Sequence, residues 1–157
     1  MSARRLLLDT NTILHVTRGK AVGRWLLQEV PELDVPGQCL TSRVVHGELW
    51  CFVTRAQAKG QPWGERKIRR LRDILAEIPT VELHDPGVVE YYAAVTAFTE
   101  VSHKPAKPMG KNDLWIAACA VASKATILTG DDDFDHLGDM KVAVSKYNTT
   151  KITAGNA

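Results

Sequence analysis

The sequence predicts an α/β protein, a three-layer α/β/α sandwich around a central, mainly parallel sheet, and three observations predict it. Short candidate strands recur, each followed by polar residues: the apolar run Leu6-Leu7-Leu8 before Asp9, Gln38 to Thr41 before Ser42, and the β-branched stretch Ala125 to Thr129 before Gly130 and Asp131. A continuous apolar run such as Leu6 to Leu8 belongs to a strand covered on both faces, as in parallel sheets. Between them lie longer stretches with helical spacing, and strands alternating with helices imply right-handed crossovers. Finally, Leu114 to Ala122 carries no charge, no Gly and no Pro and is dominated by Ala, which predicts a helix buried on nearly every side.

In chain order, Leu6 to Leu8 is the first strand and Asp9-Thr10-Asn11 a polar turn at its carboxyl end. Ala21 to Val30 has helical spacing through Val22, Trp25 and Leu26, and Pro31 closes it. After the second strand, Thr41 or Ser42 caps a helix through Val44, Val45, Glu48, Leu49 and Phe52. Gly60-Gln61-Pro62 then precedes an amphipathic helix from Trp63 to Ile78. Its apolar face holds Leu71, Ile74, Leu75 and Ile78, while Arg66, Lys67, Arg69, Arg70 and Arg72 read as a solvated face. Thr80 to Leu83 alternates like a strand, and Asp85-Pro86 opens a helix whose Tyr91 and Tyr92 are expected in the core.

His103 to Gly110 is a Pro/Lys loop feeding the central helix, at whose mouth Asn112 or Asp113 can cap free N–H groups. Lys104, Lys107 and Lys111 are its candidates for phosphate contacts. Met140 to Val144 reads as the last strand. One domain over residues 1–147 and a loose polar tail over 148–157 are expected.

At 157 residues, with 45% apolar and 24% charged residues, the composition is that of a globular domain with a full core. The net charge of +2 permits a polyanionic partner without demanding one. Cys39, Cys51 and Cys119 are odd in number and form no C-x-x-C pair, which argues against a disulfide framework or zinc knuckle. No apolar run approaches membrane-spanning length, and three leucines before Asp9 are too few for a signal-peptide core. The expectation is a soluble, cytoplasmic protein with no membrane partner.

The chemistry rests on acids that recur at strand ends and helix starts: Asp9, Glu48, Asp113 and one of the group Asp131 to Asp135. Carboxylates gathered at one sheet edge repel and raise each other's pKa unless a cation joins them. Oxygen donors without His or Cys at metal-ligand spacing favour Mg²⁺ or Mn²⁺ over Zn²⁺. Such sites bind substrate phosphates, an arrangement suited to phosphodiester hydrolysis by activated water. Thr10, Asn11, Asn112 and Thr129 are placed either to orient carboxylates or to form turns and caps.

Four segments in order, Leu8-Asp9-Thr10-Asn11, Val44 to Leu49, Asn112 to Ala118 and Leu128 to Phe134, resemble the PIN-domain ribonucleases, and most closely the VapC-like toxins of toxin-antitoxin pairs. The resemblance implies a PIN fold and a metal-dependent endoribonuclease. Asp9 and Asp113 would be the principal metal ligands, with Glu48 and Asp131 completing the acidic pocket. It also implies an RNA substrate, an antitoxin partner that blocks the pocket, and a homodimer. Asp133 is the next choice for the fourth acid. Thr12 departs from the family's usual aliphatic residue, a change expected to affect packing rather than chemistry.

Two alternatives share parts of this pattern. A haloacid-dehalogenase-type phosphatase also places an Asp after the first strand, but needs a second acid two residues on, where this chain has Asn11. A non-catalytic RNA-binding PIN domain would not require all four acidic positions to be filled. A Ser/His hydrolase is disfavoured, since the chain has no G-x-S-x-G elbow.

Overall fold

The computed structural model describes residues 4–103 and 108–155. Strands β1 (Leu6–Leu8), β2 (Cys39–Ser42), β3 (Thr80–Val81), β4 (Thr126–Thr129) and β5 (Val144–Lys146) form one five-stranded sheet. Their order is β3-β2-β1-β4-β5 and every pairing is parallel. β1 is central because its side chains tolerate neighbours on all sides: Leu6, Leu7 and Leu8 are all buried. Leu7 stands in register with Leu40 of β2 and Ile127 of β4, so the middle of the sheet is an aliphatic row.

The helices are α1 (Thr10–Arg18), α2 (Ala21–Glu29), α3 (Arg43–Ala58), α4 (Glu65–Glu77), α5 (Val88–Ala97), α6 (Lys111–Ala122) and α7 (Thr149–Gly155). Helix α1 packs against α2 and α4, and α2 against α7; α6 packs against α5, α3 and β4. This is the three-layer arrangement the sequence predicts, with helices flanking a parallel sheet. No helix among the described residues is long and apolar enough to cross a membrane.

Several elements differ from the sequence-based expectation. The residues after Asp9 are not merely a turn: Asp9 caps α1, its Oδ1 accepting from the Thr12 N–H at 2.7 Å. The expected strand over Met140 to Val144 begins later. Asp135–Met140 is a 3₁₀ helix and Lys141 is left-handed, with φ of 59°, so pairing resumes only at Val144 opposite Ile127. Strand β3 is two residues long, shorter than Thr80 to Leu83. The tail expected to be loose contains α7, held by buried Ile152 and by Tyr147 just before it. Its polarity is that of a helix with one face docked.

The other elements follow the expected physics. Ser42 caps α3, accepting from the Val45 N–H at 3.3 Å. Of the two tyrosines expected in the core, Tyr92 packs against it and stacks on Trp115 at 3.9 Å between ring centroids, but Tyr91 corrects the expectation: one residue earlier on α5, it is turned off that face and is exposed. The basic face of α4 lies outside, with Lys67 over the Trp63 ring and Arg72 beside Trp50. Lys104 and Lys107 lie outside the described residues; Lys111 is exposed on the first turn of α6.

Candidate active site

In this strand order the chain leaves β1 toward β2 on one side and later returns to place β4 on the other. The crevice beyond the carboxyl ends of β1 and β4 is therefore the switch point at which open α/β sheets bind ligands. A cleft of about 200 Å³ lies among Asp9, Glu48, Asp113 and Asp131, with Thr10, Asn11, Phe52, Ile116 and Phe134 completing its lining. Asp9 follows β1, Asp131 follows β4 by two residues, Glu48 projects from the second turn of α3 and Asp113 from the first turn of α6. The four acids named from sequence thus meet in one space, although up to 122 positions separate them along the chain.

Each carboxylate is held differently. Asp9 is only 4% exposed, and its second oxygen accepts from Thr129 Oγ1 at 2.5 Å. Thr129 in turn accepts from the Asp131 N–H at 2.9 Å, so one hydroxyl joins the β1 acid to the β4 loop. Glu48 accepts from Thr10 Oγ1 and, at 2.8 Å, from Asn112 Nδ2. Asn112 therefore orients an acid instead of capping α6. The cap there is Gly110, which makes no side-chain bond to the helix, and Asp113 lies inside the first turn. Of the polar residues left open by the sequence, Thr10, Asn112 and Thr129 bind cleft carboxylates. Asn11 lines the cleft as an amide.

The acid-rich loop sorts itself by charge. Asp132 and Asp135 both pair with Lys146. Asp131 lines the cleft, and its Oδ1 accepts from the Asp133 N–H at 3.2 Å. Asp133 is not part of that lining, yet its negative charge bears on Asp113 more strongly than that of Asp131. Both remain within electrostatic reach of the centre.

Burial, followed by the charges of Asp133, Glu48, Asp131 and Asp9, pushes the Asp113 carboxyl from its ordinary value up to about 7. Burial also raises Asp9, against the opposing hydrogen bonds from Thr12 and Thr129 and with the help of the Asp131 charge. Holding these carboxylates together in their charged form is thus costly in free energy.

Among the described residues, no three His, Cys, Asp or Glu side chains form a ready-made metal cage. The donor set nevertheless fits a hard, partly hydrated ion. Its ligands are oxygens, no His or Cys lines the cleft, and Mg²⁺ is commonly held by one or two carboxylates while keeping water. Asp9 and Asp113, the pair expected from the sequence, both line the cleft.

Sequence reasoning missed the apolar walls and Tyr147. The walls had a signal: Phe52 follows Glu48 by four residues on α3 and Ile116 follows Asp113 by three on α6, spacings that share a helix face. Tyr147 had none, because only the sheet brings it to Thr12.

Thr12, expected to matter through packing, is buried with its hydroxyl fully engaged. Its Oγ1 donates to the Leu128 carbonyl at 2.9 Å and lies 3.0 Å from the Tyr147 hydroxyl.

No curated protein matches the sequence significantly. Among solved structures, VapBC2 from Rickettsia felis, bound to a DNA fragment from its promoter, is 21% identical with a TM-score of 0.66, over 91% of this chain and 98% of that one. VapBC-5 from Mycobacterium tuberculosis, a member of the VapBC family of toxin-antitoxin systems, is 23% identical with a TM-score of 0.62, over 94% and 100%. FitAcB from Neisseria gonorrhoeae is 24% identical with a TM-score of 0.58, over 88% and 95%. At such identities the likeness is one of fold. The family model of the PIN domain matches residues 6–140, which span β1 to the 3₁₀ helix and include every acid of the cleft. With most of its length matched, the chain belongs to the PIN domain family.

Proposed function

We propose that the protein is a Mg²⁺-dependent endoribonuclease, with Mn²⁺ able to substitute, and that it acts as the toxin of a toxin-antitoxin pair. The observation that carries this reading is the convergence of Asp9, Glu48, Asp113 and Asp131 on one cleft at the switch point of the sheet. Asp9 and Asp113 would hold the ion. When bound, it supplies Lewis acidity toward the scissile phosphate and acidifies water.

The chain's own residues do the rest. Thr10 and Asn112 fix Glu48, so that its carboxylate and that of Asp131 accept hydrogen bonds from the attacking water and orient it in line with phosphorus. As the new P–O bond forms, the bond to the departing ribose oxygen breaks and the proton lost by the water passes to a cleft carboxylate. Phe52, Ile116 and Phe134 limit the water that reaches the acids. Lys111, exposed two residues before Asp113, would contact a flanking phosphate.

The antitoxin partner is supported by fold likeness to chains solved in toxin-antitoxin complexes. A homodimer is proposed with it, from the resemblance to the VapC-like toxins.

The test is cleavage of structured RNA by the purified protein. Asp113→Asn should keep the fold by circular dichroism and lower turnover by more than the roughly 10–100-fold that loss of an outer-shell metal partner costs. EDTA should silence the wild type and Mn²⁺ restore it. Undiminished cleavage by folded Asp113→Asn, or in EDTA, would reject this reading.

A further inference from the structure

Tyr147 lies seven residues beyond the matched PIN segment, at the junction of β5 and α7, and nothing in its local sequence marks it as part of a site. It is nonetheless 4% exposed and touches both acid-bearing turns. Its backbone N–H donates to the Thr129 carbonyl at 3.0 Å, extending the β4–β5 ladder to the last residue before Gly130. Its ring covers Gly130 so closely that a Cβ there would stand 2.8 Å from Tyr147 Cε2 and 3.1 Å from Cζ. On the other side the ring meets His15 edge-on, with centroids 6.2 Å apart. Its hydroxyl reaches Thr12 Oγ1.

The direction of that last bond follows from counting protons. A hydroxyl has one proton to give, and Thr12 gives it to the Leu128 carbonyl at 2.9 Å. The Tyr147 O–H therefore donates to Thr12. The Thr12 backbone N–H is the same group that binds Asp9 Oδ1 at 2.7 Å. One residue thus fastens the first turn of α1, which aims Asp9, and presses on the glycine that precedes Asp131.

We infer that Tyr147, acting through Thr12 and against Gly130, is a positioning residue that fixes the Asp9 and Asp131 carboxylates for the cation. The C-terminal segment would then be a brace for the acidic cleft in this chain. It also gives the hydroxyl of Thr12 a purpose that an aliphatic residue at that position could not serve. The inference deepens the metal-dependent reading and rests on it for the cation.

The experiment measures Mn²⁺ binding by the whole chain, from the electron paramagnetic resonance signal of free Mn²⁺, together with amide hydrogen exchange at Thr12 and Asp131. Tyr147→Phe and Thr12→Val each remove one side of the hydroxyl pair with little change of shape, so failure of either to fold leaves the other to decide. Each should weaken Mn²⁺ binding about tenfold, the lower end of what outer-shell substitutions cost. The double variant should be no weaker than the singles, because both cut the same link. Excess Mn²⁺ should restore RNA cleavage in the variants.

Variants that bind Mn²⁺ as tightly as wild type, even with a lower melting temperature, would overturn the inference and leave a merely structural tyrosine. If the wild type binds no Mn²⁺, the metal reading fails on its own account and the exchange data decide. Faster exchange at Thr12 and Asp131 in Tyr147→Phe, with the interior of β1 unchanged, upholds the brace; unchanged exchange removes it.

Discussion

Asp113 illustrates how a residue with a common structural explanation acquires another through its neighbours. At the mouth of a helix an Asp is ordinarily a cap, yet here Gly110 occupies the cap and the Asp113 carboxyl sits among four other acids that bear on it. Its folded value of about 7 lies above the unfolded 3.8, so the folded state holds the extra proton. The contribution is present below about pH 4 and is lost as pH rises through about 7. Asp9, also raised, adds to the same slope. The melting temperature of metal-free protein should therefore fall across that window from this source, less steeply in Asp113→Asn. Saturating Mg²⁺ should raise it more above the window than below, because binding to the folded state stabilises it and requires ionised ligands. Thermal melts on the two proteins, with and without Mg²⁺, check this; identical pH slopes would show that Asp113 does not carry the charge strain.

Among the elements, α1 is the one that periodicity did not reveal. Its short polar beginning hides a capped helix, with Asp9 bonded to Thr12 and Thr17 Oγ1 donating to the Ile13 carbonyl at 2.8 Å. Polar residues that read as a turn are here the buried fittings of a helix. The packing of α1 on α2 depends on Gly23, where a Cβ would lie 2.1 Å from the His15 carbonyl oxygen. That contact is with backbone, which cannot swing aside as a side chain can. Gly23→Ala should force the helices apart and destabilise the protein by about 1–3 kcal/mol, the usual range for overpacking, despite alanine's better helix propensity. A urea midpoint equal to or above that of wild type would show that the helices adjust freely. The same reasoning explains α7: three of its seven residues are threonine and its charge is a lone Lys151, so its place is decided by Ile152 and its contact with α2.

At the scale of the whole molecule, the sheet order decides which acids meet, and exposed apolar side chains on α5 offer a test of the proposed homodimer. Val89 is 56% exposed and Tyr91 is 41% exposed; two residues apart, they point to different sides of α5, so charging both probes two faces of the helix at once. Sedimentation equilibrium should return twice the chain mass of 17.3 kDa, and Val89→Glu with Tyr91→Glu should return it to the single mass. A wild-type protein that stays monomeric at every concentration would withdraw the homodimer proposal.

By itself the sequence determined the layers and most of the helices, because apolar runs ended by acids and a charge-free Ala-rich stretch are local signals of burial. It also named the four acids, since each stands at a strand end or on a helix beside an apolar run. Only the tertiary structure decided that Asp132 and Asp135 turn to Lys146 while Asp131 faces the cleft, that Asn112 serves Glu48, and that Tyr147 reaches Thr12. Those choices depend on which backbones the parallel pairing of β1, β4 and β5 sets side by side, and contacts between residues as far apart as Thr12 and Tyr147 leave no periodic trace along the chain.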